Sequence, residues 1–173
     1  MPQETTARIQ RKDAHSPAHD LALALRSAYL AMHRETDASL SALEVTADQF
    51  VVLSALAAGE AGTQRELVAR TGSDPSTLRA MLVLLEKRAL VERRPHPTDG
   101  RARRVRLTPG GHEVLERSWE ATAPVRQRLV DELAPGQAEE MARGLATLAR
   151  TLRPATPRDS RTHGRGEPAD GNL

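Results

Sequence analysis

Six arginines crowd one short stretch of this chain: Arg93, Arg94, Arg101, Arg103, Arg104 and Arg106. After Glu92 the only acid among them is Asp99. Guanidinium groups gathered this closely make a local field that attracts phosphate. The formal net charge is only +2, so the clustering carries the signal and the bulk balance does not. A plain solvated loop is the competing explanation. Upstream stand Ser76, Thr77 and Arg79. Their hydroxyls can bond base edges or phosphates, the Thr77 methyl can touch thymine, and Arg79 can reach guanine or phosphate. Simple helix-start chemistry would also account for Ser76 and Thr77. Gln64 is a phosphate contact or a cap, and Ser73 joins the candidates from the turn between. Backbone N–H groups at the helix start near Gln64 would help hold a phosphate.

Other chemistries lack their parts. Cysteine is absent, which removes disulfides, thiolate zinc sites and thiol-based oxidant sensing. The sequence has no glycine-rich phosphate loop, no nucleophile elbow, no His-Glu-x-x-His and no triad, so it reads as a non-enzyme with no cofactor. His96 and His112 are isolated, and no metal site is expected. Tyr29, Phe50 and Trp119 are the only aromatic residues, too few for stacking single-stranded bases. No apolar run approaches the roughly 20 residues needed to cross a bilayer. The first residues lack a signal-type segment, so a cytoplasmic protein with no membrane partner is expected. A winged module used only for architecture or protein contact would lack base readout, and that distinguishes it from a sequence-specific reader.

The elements that must position these groups follow from periodicity. From Asp20, the residues Leu21, Leu25, Ala28, Met32, Thr36, Ser39 and Leu43 form a helical stripe, widened by Leu30 and Leu40. Thr46 with Gln49 predicts a capping box, and Phe50, Leu53 and Ala57 the core side of the second helix. Thr63 with Glu66 opens a third helix with Leu67 inward, and Gly72 closes it. Asp74-Pro75 starts a fourth with Leu78, Leu82 and Leu85 as its core stripe and Met81 beside them. Leu90–Arg94 and Arg103–Leu107 predict two strands around a hairpin with Asp99-Gly100 at its turn. Thr108-Pro109 opens a long helix to about Leu133, bent or interrupted at Pro124. Pro135-Gly136 breaks the chain, and a last helix carries Met141, Leu145, Leu148 and Leu152 on one side. The order is helix, turn, helix, hairpin. The fold class is mainly α with a small β-wing: a winged helix-turn-helix at about 46–108, between long N- and C-terminal dimerisation helices at about 20–44 and 108–153. Residues 1–18 are expected to be a disordered arm and 154–173 a disordered tail around one domain at 19–153.

The ordered segments Thr46-Ala-Asp-Gln-Phe-Val-Val-Leu53, Thr63-Gln-Arg-Glu-Leu67, Thr71-Gly-Ser-Asp-Pro-Ser-Thr-Leu78, Leu85-Glu-Lys-Arg-Ala-Leu-Val91 and Asp99-Gly-Arg-Ala-Arg-Arg-Val-Arg-Leu-Thr-Pro-Gly-Gly111 resemble the MarR family of bacterial transcriptional regulators. The resemblance runs from about residue 21 to 152. It implies a two-fold homodimer joined by the first and last two helices, here through Leu21, Leu25, Met141, Leu145, Leu148 and Leu152. It implies double-stranded DNA with a palindromic operator as partner, and repression of nearby genes. It places Arg101 in the minor groove, held by Asp99. Arg93, Arg94, Arg103 and Arg104 read as phosphate partners, with strand alternation turning some of them away from DNA. It further implies a small aromatic or phenolic effector between dimer body and reading head, where Tyr29, His33, Phe50 and Trp119 are the candidates. Plain packing for Tyr29 and Trp119, and a surface position for His33, are the alternatives. Two positions depart from the family. Ala89 stands where glycine is usual, so a tighter or non-left-handed helix exit is expected. Val83 or Leu84 stands where a basic residue is common, which shifts electrostatic work to the wing.

Overall fold

The computed structural model describes residues 16–59, 62–95 and 103–152. The candidate residues Asp99 and Arg101 lie outside them, as do the expected tail and most of the expected arm. One compact unit runs to Asp131 and a second begins at Glu132, where sequence reading drew a single domain.

Helix α1 spans Pro17–Leu40. It starts three residues before the expected Asp20, because Ser16 caps it: the Ser16 hydroxyl accepts from the His19 N–H and Pro17 takes the first helical position. A 3-10 turn, Ser41–Leu43, carries the chain into α2, Ala47–Ala57. The Thr46–Gln49 box is reciprocal, with both bonds at 3.2 Å. Asp37 of α1 accepts from the Ala47 N–H at 2.6 Å and pins the joint. Phe50 and Leu53 are buried as expected, but Ala57 is exposed and Val52 and Leu56 complete the inward face.

Strand β1, Gly62–Thr63, was not anticipated; two residues are too short to show alternation. Helix α3 spans Gln64–Thr71 behind the Thr63–Glu66 box, and Gly72 leaves it at φ 70. Helix α4 spans Pro75–Lys87. Strands β2, Val91–Pro95, and β3, Arg103–Leu107, form the wing, with the first strand one residue later than expected. The sheet order is β1-β3-β2, antiparallel throughout. The helix expected after Pro109 is interrupted rather than bent, into α5, Pro109–Ala121, and α6, Ala123–Arg128. The break falls at Thr122, two residues before Pro124, and helix ends at Arg128 and not at Leu133. The second unit contains α7, Gln137–Leu152, which has no buried residue.

Leu53, Leu56, Leu67, Leu78, Leu82 and Leu85 share one core with Val91, Val105 and Leu107 of the wing. Gly111 lets α5 close on that core: a Cβ there would stand 2.0 Å from the Leu90 carbonyl oxygen.

The exit of α4 corrects the expectation for Ala89. The residue is left-handed, at φ 54. The Ala89 N–H donates to the Glu86 carbonyl at 2.9 Å and the Leu90 N–H to the Leu85 carbonyl at 3.0 Å. That is the Schellman closure, and it draws Leu90 into the core. Together these outweigh an alanine's left-handed penalty of about 1–2 kcal/mol. Ala89→Gly is therefore predicted to stabilise the fold by up to about 1 kcal/mol, read as a higher thermal midpoint. A lowered midpoint would contradict the strained exit.

Candidate nucleic-acid interface

Asp74 builds the leading end of α4. Its Oδ1 accepts from the Ser76 N–H at 2.8 Å, the Thr77 N–H at 3.3 Å and the Ser76 hydroxyl at 2.5 Å. The Ser76 side chain thus does helix-start chemistry in this structure, while Thr77 and Arg79 stand exposed. Gln64 is not the cap of α3, a role Thr63 fills. Its Nε2 donates to the Pro75 carbonyl at 3.2 Å and ties the start of α3 to the start of α4. Ser73 is half-buried in the turn, its N–H donating to the Thr71 hydroxyl at 3.3 Å.

Strand register sorts the arginines. Arg93 pairs with Val105, and Pro95 with Arg103, on the face that carries the buried Val91 and Leu107. Arg94 pairs with Arg104, and Glu92 with Arg106, on the other face. Arg93 turns toward α4, its Nε 3.1 Å from Glu86 Oε2. The contact is a charge pair without hydrogen-bond alignment. Arg103 is exposed. The opposite face carries Arg94, Arg104 and Arg106: Glu92 meets Arg94 at 2.9 Å and Arg106 at 2.5 Å, and Arg104 attracts Glu66. Arg106 belongs with Arg94 and Arg104, and alternation alone would have placed it there.

Hydrogen bonds hold three carboxyls below their ordinary range. The Ser76 hydroxyl, then the Ser76 and Thr77 N–H groups, lower Asp74. The Thr63 N–H lowers Glu66 most, with Arg70 and Arg104 adding attraction. The Arg106 guanidinium lowers Glu92 most.

A cleft of about 270 Å³ lies between α1, α2 and α6. Tyr29, His33 and Phe50 line it; Trp119 does not. The Trp119 ring sits edge-on to Phe50 at 5.1 Å and beneath the Arg126 guanidinium at 4.4 Å. Arg126, absent from the sequence-based candidates, reaches the cleft because Thr122 holds it at 2.5 Å. His33 is half-buried between two acids, Nδ1 3.1 Å from Asp37 and Nε2 3.5 Å from Asp48. Among the described residues no cluster of three or more ligating groups could hold a metal ion, and no single helix is long and apolar enough to cross a membrane.

A capped helix beside an arginine-faced hairpin, both packed on a helix-turn-helix core, defines a winged helix-turn-helix protein. Known proteins narrow the class. Residues 43–102 match the MarR family. The HTH-type transcriptional repressor NicR of Pseudomonas putida is 37% identical over 73 residues, 42% of this chain and 46% of NicR. The chain spans about half the length of the curated relatives it matches. Escherichia coli MarR in its reduced form is 30% identical, with 77% of this chain and 96% of that one covered and a TM-score of 0.60. A cysteine-to-serine mutant of the same protein, complexed with operator DNA, gives 29%, 78%, 94% and 0.66. Bordetella bronchiseptica BpsR, whose DNA binding is regulated by 6-hydroxynicotinic acid, gives 27%, 75%, 98% and 0.67. The chain belongs to the MarR family.

The lowered carboxyls set the acid response. Each has a folded pKa below its unfolded one, so its contribution is present above the unfolded value and lost as pH falls through the folded value. Thermal midpoints should drop on acidification below about pH 4. Asp74→Asn keeps a capping oxygen that does not titrate and should flatten part of that drop. An acid profile identical to wild type would show that the Asp74 cap adds nothing.

Proposed function

We propose that this protein is a cytoplasmic transcriptional regulator that binds double-stranded DNA and represses nearby genes. One observation carries the reading: the exposed start of α4 and the arginine face of the wing rest on the same core. Helix α4 lies in the major groove, with Ser73, Thr77 and Arg79 nearest the bases and phosphates. Gln64 positions α4 and adds a phosphate contact. Arg94, Arg104 and Arg106 follow the flanking backbone, and Arg101 enters the minor groove beside Asp99. Arg103 also serves phosphate, whereas Arg93 braces the wing against α4.

The protein acts as a homodimer on a palindromic operator. Two heads must sit about one helical turn apart to read two half-sites. In support, Leu21, Leu25, Leu30 and Met32 of α1 stand exposed, as do Met141, Leu145 and Leu152 of α7. Leu148 of α7 is half-buried. These faces belong in the joint between copies. A small aromatic ligand relieves repression by entering the cleft, its ring beside Tyr29 and Phe50 and an anionic group toward Arg126. His33 orders the wall through its two acids, and Trp119 backs Arg126. The regulated binding of BpsR supports this assignment by kinship.

Fluorescence anisotropy on a labelled duplex across a salt series tests the binding mode. Arg94→Ala, Arg104→Ala and Arg101→Ala should each weaken binding and lower the salt slope by about one, in a protein that still sediments as a pair. Wild-type affinity and slope in all three would overturn the wing assignment.

A further inference from the structure

Helix α4 buries Leu78, Met81, Leu82 and Leu85, and so turns Ser76, Ala80, Val83 and Lys87 directly away from the core. Helical spacing puts Leu84 on one flank of that row, a turn-pair from Thr77, and Arg79 on the other. Val83 is 39% exposed and Leu84 50% exposed. Ala80 is exposed as well. The middle of the face proposed to enter the groove is therefore apolar, and its cationic groups, Arg79 and Lys87, lie to the side and at the far end.

An apolar patch cannot read donors or acceptors. In the major groove it has one complementary feature, the C5-methyl of thymine. We infer that Ala80, Val83 and Leu84 specify the operator by packing against thymine methyls, with Thr77 adding its own methyl on the Leu84 flank. The inference rests on the DNA-binding reading above and adds which bases the helix selects. Charge supports DNA as the occupant: exposed Arg79 and Lys87 stand on the same helix as the patch, and the wing packed on the same core carries Arg94, Arg104 and Arg106 on the face opposite Val91 and Leu107. The small Ala80 side chain lets the helix axis come close to the bases. Glu86, the acid on this helix outside its cap, is occupied by Arg93 and kept from the phosphates.

Deoxyuridine lacks only the methyl and leaves base pairing intact, so it isolates the contact. Duplexes enriched from a randomised oligonucleotide pool by the full chain are resynthesised with deoxyuridine for thymidine, one position at a time. Thymines facing α4 should then be enriched, and each uracil there should weaken binding about fourfold, the value of one buried methyl group. Val83→Ser and Leu84→Gln, at exposed positions that leave the core intact, should bind the thymine duplex more weakly and lose the discrimination against uracil. Their thermal midpoints should match wild type. Equal affinity for thymine and uracil duplexes overturns this inference while leaving DNA binding in place. So does a result in which the two substitutions instead abolish pairing of copies in sedimentation. Failure to enrich any duplex overturns the DNA-binding reading itself, and this one with it.

Discussion

One buried stripe determines where everything else points. Leu78, Met81, Leu82 and Leu85 of α4 pack into the same core as Val91, Val105 and Leu107 of the wing. Helix and hairpin are consequently parts of one packed body, and neither can rotate without opening it. Arg93 adds a charge pair to Glu86 across the seam. The fixed roll of α4 exposes Thr77, Arg79, Ala80 and Val83, and the fixed register of the wing exposes Arg94 and Arg106 and sets the half-buried Arg104 on the same face. Truncating one of these core leucines to alanine would remove about 2–5 kcal/mol, a large fraction of a small domain's stability.

The acids around this surface serve order more than recognition. Asp74 gathers the first N–H groups of α4, and Glu66 accepts from the N–H of Thr63, the residue that caps α3. Glu92 collects Arg94 and Arg106 on the wing. Each carboxylate arranges cations or donors ahead of binding, which lowers the entropy lost when a polyanion docks. The cleft follows the same pattern at smaller scale. Thr122 holds Arg126, and Arg126 lies over Trp119, so the cation is placed before any ligand arrives.

Much of this was legible in the residues, because helix starts are local. Thr46 with Gln49, Thr63 with Glu66, Asp74-Pro75 and Thr108-Pro109 each announce a helix within four residues. Ser16-Pro17 is the same signal, passed over where it sits beside an aperiodic arm. What local pattern could not show was decided by tertiary contact. Ala89 is left-handed because the Schellman bonds and the burial of Leu90 override its own preference. Strand β1 exists only because β3 lies beside it. Trp119 looked like a cleft residue by type, yet the fold turns it behind Phe50 and brings Arg126 forward. The loss of a basic residue at Val83 and Leu84 read as a weakness in the sequence; in the structure both side chains stand exposed and leave that stretch of α4 apolar.

The most direct test of the account is amide hydrogen exchange on the full chain, with and without a saturating enriched duplex. The account predicts added protection in residues 73–84 and in both wing strands, with the buried half of α2 unchanged. Protection confined to α1, or none in α4 and the wing, would contradict it.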